Sequence, residues 1–208
     1  MKELSPAGQK IIDSARHLFH QYGLRAISMD DIASNAGISK KTIYQEFVDK
    51  DDLIQFIVSG SLKENLDNFI NSCFINAENA IQEIFMSLET LGVLQSTINP
   101  AIIFELKKYH TQSYQMVVEY KNNFLYKAIH DNILRGQAQE LYRPDVDAQW
   151  IAKFRLETLF MINEFSTSAN ILRTHEQVLI HFVFGLVSKK GYPIADKYLN
   201  EFLKKNRK

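Results

Sequence analysis

Apolar residues return at every third or fourth position along most of the chain, the period of a helix with one buried face. Ile11, Ile12, Ala15, Leu18 and Phe19 form the first such run. Ser5-Pro6 opens it, as cap and first-turn proline, and Gly23 closes it. Ser28 begins a second, short helix, with Asp31 three residues on as a capping-box-like partner. Ser39 caps a third. Asp49 caps a long helix from Lys50 whose stripe is Leu53, Ile54, Ile57, Leu62, Leu66, Phe69 and Ile70. Gly60 is expected to interrupt that helix and to mark a passage between domains. Further helices are expected from Ala77 to about Gln95, from Asn99-Pro100 through Leu106, and from about Ser113 to Leu134, where Arg135-Gly136 ends the run. Three more are expected: from Asp145 or Asp147 to Phe165, from His175 to a point before Gly191, and from Pro193 into the basic tail.

With 8 Gly and 4 Pro in 208 residues, breakers are scarce, and all four prolines fall at proposed boundaries. These signals agree on an all-α chain. A hydrophobic content of 46% is ample for a core. The 24 basic residues balance 24 acidic ones, so bulk charge does not announce a nucleic-acid partner. Residues 1–50 hold seven basic against six acidic residues. Any positive potential must be local, and it depends on where Lys40, Lys41 and Lys50 point. The single Cys73 rules out an internal disulfide and fits a reducing compartment. No signal-peptide core and no run of 18 apolar residues is present, so a soluble cytoplasmic protein without a membrane partner is expected.

The most informative stretch runs from Ser28 to Leu53. Ala33 is small where two helices must approach, and Gly37 sits where a left-handed residue follows a helix. Ile38 and Ile43 supply an apolar wedge, leaving Lys40, Lys41, Thr42, Tyr44 and Gln45 to project outward. That is a helix-turn-helix, whose second helix enters the DNA major groove. The pattern Ala33-x-x-Ala36-Gly37-Ile38-Ser39-x-x-Thr42-Ile43-Tyr44-x-x-Phe47-x-x-Lys50-x-x-Leu53 resembles the DNA-binding domain of the TetR family of bacterial transcription regulators. Upstream, Ile11-x-x-x-Ala15-x-x-Leu18-Phe19-x-x-Tyr22-Gly23 is similar to that family's first helix. The resemblance covers roughly the first quarter of the chain. It implies a helix-turn-helix domain over residues 1–50, running into the next helix, and a helical regulatory, ligand-binding and dimerisation domain over 51–208.

The resemblance also implies roles. Lys50 matches the family's phosphate-binding lysine, and Thr42 and Tyr44 match backbone-contacting positions. Lys40 and Lys41 have the reach for guanine or phosphate, and Gln45 for adenine. With Ser28 and Ser39 at the helix starts, these eight residues are the expected DNA-binding set. Two departures stand out: Lys41 where the family often has a small residue, and Gln45-Glu46 where it often has an aromatic residue and histidine. Glu46 repels phosphate unless it turns aside.

The segments 150–162 and 178–187 are apolar on more than one face and must be buried. In the family the last two long helices pair with a second subunit, so a homodimer is expected, with Phe160, Phe182, Gly185 and Leu186 at its interface. An aromatic set (Phe69, Phe85, Phe104, Tyr109, Tyr120 and Phe124) is the candidate lining for a small-molecule effector. No cofactor motif is present. His175, Glu176 and His181 lack the spacing of a shared helix-face metal site, and the pair His17 and His20 reads as solvent-exposed. Arg155, Glu157 and Glu164 are expected in ion pairs. The functional expectation is a non-enzymatic repressor that binds a palindromic double-stranded operator and is released by a ligand. The rival is a helical ligand carrier or enzyme whose helix-turn-helix serves only for packing. Exposure of Lys40, Lys41, Tyr44 and Lys50 on one face favours the regulator; burial or pairing favours the rival.

Overall fold

The computed structural model describes residues 4–95, 100–165 and 170–206, without the side chains of 69, 88–95, 100, 101, 163–165, 172 and 206. The fold is all-α, and no strand occurs among the described residues. The helices are α1 (Pro6–Tyr22), α2 (Met29–Asn35), α3 (Lys40–Glu46), α4 (Lys50–Phe69), α5 (Ala80–Gln95), α6 (Pro100–Tyr109), α7 (Thr111–Glu119), α8 (Tyr126–Ala138), α9 (Ala148–Phe165), α10 (Ile171–Leu186) and α11 (Tyr192–Asn206). Two π-helical stretches, Ile70–Phe74 and Tyr120–Leu125, follow α4 and α7.

Local chemistry explains the first four helices. The Ser5 hydroxyl accepts from the Gly8 amide at 3.0 Å, ahead of Pro6 in the first turn. Ser28 and Asp31 cap each other reciprocally at the start of α2. Gly37 takes φ = 65°, and the Ile38 amide then donates to the Ala33 carbonyl at 3.0 Å. Ser39 accepts from the Thr42 amide at 3.1 Å, and Asp49 from the Asp52 amide at 2.8 Å. Ile11, Ala15, Ile32, Ile43 and Leu53 are fully buried where these helices meet.

The chain forms two compact units. The first joins residues up to Glu64 with the described part of 96–118, and the second joins Asn65–Gln95 with the chain from Glu119 onward. Chain order alone predicts a single cut near residue 50, with the first domain running into the helix from Lys50. The first unit instead recruits α6, whose Leu106 is buried in the same core as Ile11 and Phe19. Gly60 does not interrupt α4, which runs on to Phe69.

The second unit packs α5, α8, α9, α10 and α11 around Ile81, Ile133, Ala152, Leu179 and Val183. Tyr142 is its keystone. Its hydroxyl donates to the Ala80 carbonyl at 3.0 Å and lies 3.2 Å from Asn132 Oδ1. Burial raises its phenol pKa far above the ordinary range. The Tyr142 ring lies against Gly136, where a Cβ would sit 2.0 Å from the ring. Gly136 therefore does not end α8, which continues to Ala138: the glycine is there for close approach. The expected helix over 113–134 is divided by the π-helical stretch at Tyr120–Leu125, and α10 starts at Ile171 rather than at His175.

Candidate nucleic-acid interface

α3 buries Ile43 and turns Lys41, Tyr44 and Gln45 to solvent, with Tyr44 43% exposed. Thr42 is half-buried, its hydroxyl 2.7 Å from that of Ser39. Lys40 is exposed but engaged: its ammonium donates to Asp30 of α2 at 2.8 Å. That bond raises the lysine pKa.

Beside α3 lies a shallow, open depression of about 370 Å³, lined by Arg25, Ala26, Ile27, Ser28, Met29, Asp30, Tyr44 and Lys50. It brings together Ser28, Tyr44 and Lys50 from the expected set, while Ser39, Lys41, Thr42 and Gln45 stand outside it on α3 and its cap. Lys50 is half-buried; its ammonium donates to the Leu24 carbonyl and lies 6.0 Å from the Phe19 ring centre. Burial lowers its pKa, with Glu105, Asp51 and Asp31 opposing. An ammonium has three donors, so one bond to Leu24 leaves two for an anion.

The acidic residues nearby are mostly occupied. Asp31 accepts from the Ser28 hydroxyl at 2.6 Å and the Ser28 amide at 2.8 Å, and these bonds lower its carboxyl pKa. Glu46 accepts from the Ser5 hydroxyl, so it turns back onto α1. The repulsion expected from Glu46 in the DNA-facing set is thereby reduced.

Two residues enter that the sequence did not single out. Arg25 lines the depression, 5.4 Å from the Tyr109 ring centre, with Nη1 donating to the Tyr109 hydroxyl at 3.4 Å. Glu105 of α6 accepts from the Leu24 and Arg25 amides, holding the segment that precedes α2. No spacing rule links residues 80 apart, so neither had a sequence signal.

The candidate effector residues are divided between the two units. Phe104 and Tyr109 belong to the first unit and are exposed, with the Lys108 ammonium 5.7 and 5.3 Å from their ring centres. Phe85 is packed in the second unit's core against Tyr198 and Phe202, which makes it a structural aromatic. Tyr120 and Phe124 pair at 5.2 Å in the π-helical stretch, and burial pushes the Tyr120 phenol up to about 12. The Phe69 side chain lies outside the described residues.

Of the expected interface residues, Phe160 and Phe182 are half-buried and Gly185 is exposed, with nothing within 4 Å of a Cβ built there. Leu186 is buried in its own unit's core. The exposed apolar residues of α9 are instead Trp150, Phe154 and Met161, at 68%, 61% and 50%. Their spacing sets them on one stripe. Glu157 pairs with Lys121 at 2.8 Å, whereas Arg155 makes no ion pair among the described residues, and the Glu164 side chain lies outside them. No group of three or more metal-ligating side chains occurs among the described residues, and no described helix is long and apolar enough to cross a membrane.

Residues 11–56 match the family described as bacterial regulatory proteins, tetR family. The repressor KstR2 of Mycobacterium tuberculosis is 22% identical over 188 residues, covering 88% of this chain and 93% of KstR2. An HTH-type transcriptional regulator of Staphylococcus aureus is 36% identical over 69 residues, 33% of this chain and 35% of that protein. A TetR-family regulator from Cytophaga hutchinsonii superposes with a TM-score of 0.70 at 18% identity, over 90% of this chain and 100% of that one.

Proposed function

As the chain is a bacterial regulator of the TetR family, we propose that it binds a palindromic DNA operator as a homodimer and represses transcription until a small molecule releases it. The observation that carries this reading is the continuous face made by Lys41, Tyr44 and Gln45 of α3 with the depression of Arg25, Ser28, Tyr44 and Lys50. Lys50 and Arg25 supply phosphate contacts, which position the protein, and Gln45 and Lys41 read base edges, which specify the sequence. Ser28, Ser39 and Thr42 set the ends of α2 and α3 at the duplex, and Lys40 exchanges Asp30 for DNA.

A seven-residue recognition helix reads too few bases alone. Two copies about 34 Å apart read an inverted repeat. The Trp150, Phe154 and Met161 stripe on α9 and the open Gly185 on α10 offer the apolar surface for pairing. An effector need only prefer one spacing of the two heads by roughly 1–3 kcal/mol to change operator affinity 5- to 150-fold. DNA as partner places the protein in the cytoplasm. The packing-only rival is favoured by no more than the engaged Lys40 and Lys50, and both of those side chains keep donors for an anion.

The test is selection of bound fragments from the source genome, titrated against salt. The expected outcome is enrichment of an inverted repeat with half-sites one helical turn apart and a steep loss of affinity with salt. Retention of fragments that share no sequence would overturn the operator reading.

A further inference from the structure

Among the described residues of the second unit, one buried cation has a donor that nothing answers. Arg155 of α9 is 4% exposed, and its Nη1 is buried without a hydrogen-bond partner among the described residues. Its guanidinium lies 5.4 Å from the Phe182 ring centre, which offers a face and no acceptor. The same unit treats its other buried charge differently: Glu83, buried, is paired with Arg135. The carboxylate nearest in sequence to Arg155, Glu157, turns to Lys121. Burying a guanidinium with idle donors is costly, because its water is lost and nothing replaces it.

We propose that Arg155 is the anchor for the effector, and that the effector is an organic monoanion, a carboxylate on an apolar body. The inference rests on the reading of the chain as a ligand-released regulator and names the chemistry of its ligand. A guanidinium presents a planar fork that matches the two oxygens of a carboxylate. The apolar body follows from the neighbours. Ala152 and Ile162 share the Arg155 side of α9, and the Phe182 ring of α10 lies 5.4 Å from the guanidinium. The single charge follows from His175, which is 1% exposed. Burial, and then the charge of Arg155, depress its pKa to about 4, so the imidazole is neutral at pH 7 and adds no second positive charge. Arg155 itself, lowered by burial to about 10, stays protonated. One cation among apolar side chains matches a monocarboxylate better than a phosphate dianion or a neutral ligand.

The full-length protein is titrated calorimetrically with hexanoate, decanoate, benzoate and phenylacetate, each beside its matched alcohol. At least one acid is expected to bind saturably and roughly tenfold or more tighter than its alcohol. In Arg155→Met that preference falls to about twofold or less, while alcohol binding is unchanged. Equal binding of acid and alcohol, binding of neither, or an acid preference that survives in Arg155→Met overturns the proposal. The acid-against-alcohol comparison uses the unaltered chain and so does not depend on the variant folding. Operator binding is measured without ligand on the same preparation. Intact operator binding with no acid preference sinks this inference alone. Absent operator binding sinks the regulator reading, and an acid preference then stands as a ligand site only.

Discussion

Replacing Glu105 by alanine tests whether α6 holds the DNA-facing edge of the first unit. The carboxylate accepts from two amides, those of Leu24 and Arg25. Leu24 is 3% exposed, so its amide finds no water when the carboxylate is removed, and an orphaned buried donor costs about 1–3 kcal/mol. Arg25 is exposed, and water replaces the second bond at little cost. Alanine returns a few tenths of a kcal/mol through its better helix propensity. The balance is a loss of roughly 2 kcal/mol from the first unit, on the order of a 30-fold fall in its folded-to-unfolded ratio. Glu105→Gln keeps one acceptor without charge and should lose about half as much. The single Trp150 lies in the second unit, so its fluorescence does not report this loss. Amide hydrogen exchange of peptides spanning α1 and α2, followed in urea, does report it. Operator affinity should fall in parallel, because the Leu24 carbonyl that receives Lys50 sits on the released segment. Exchange in Glu105→Ala unchanged from the parent would refute the reasoning.

Lys50→Ala should weaken binding to all DNA and reduce the slope of log affinity against log salt by about one; an unchanged slope, measured by fluorescence anisotropy, would remove Lys50 from the phosphate contacts. Gly136→Ala gains roughly 1 kcal/mol of helix propensity, yet its Cβ meets the Tyr142 ring at 2.0 Å, and displacing that ring breaks its hydroxyl bond to Ala80. A net destabilisation of about 2 kcal/mol or more is expected by thermal unfolding, and a stabilised variant would show that the contact relaxes freely. A Cβ at Gly185 meets no atom within 4 Å in the single chain, so in Gly185→Glu the fold should hold while the proposed homodimer dissociates in sedimentation and operator binding is lost. A variant that stays dimeric moves the interface elsewhere.

The first unit was legible because its instructions are local. Ser28 with Asp31, Gly37 with Ser34, and Asp49 with Asp52 each act across three residues, the range over which a cap or a left-handed turn is specified. The second unit was less so, because its decisive partners are distant or have no rule. Gly136 reads as a stop until the Tyr142 ring is placed against it, and nothing near Phe85 in the sequence foretells its packing against Tyr198 and Phe202. Periodicity foretells that a side chain is buried, and it is silent on whether a neighbour answers its charge. Arg155 is the case where that silence mattered, since an ordinary ion pair was the natural expectation.

The same distinction explains how a chain of zero net charge offers a face to DNA. It adds few cations and instead ties its acids into local bonds, which leave their charge in place but occupy their acceptors. Asp31 is consumed by the Ser28 cap, Glu46 is turned onto Ser5 of α1, and Asp30 is neutralised by Lys40. What remains exposed on α3 is Lys41, Tyr44 and Gln45, beside Arg25 and the spare donors of Lys50. Two of these three ties use bonds to serine hydroxyls, which salt does not screen as it does an ion pair between exposed charges. The Lys40–Asp30 pair is the exception. It is exposed and worth little in isolation, so the proposed exchange of Asp30 for a DNA phosphate costs Lys40 little.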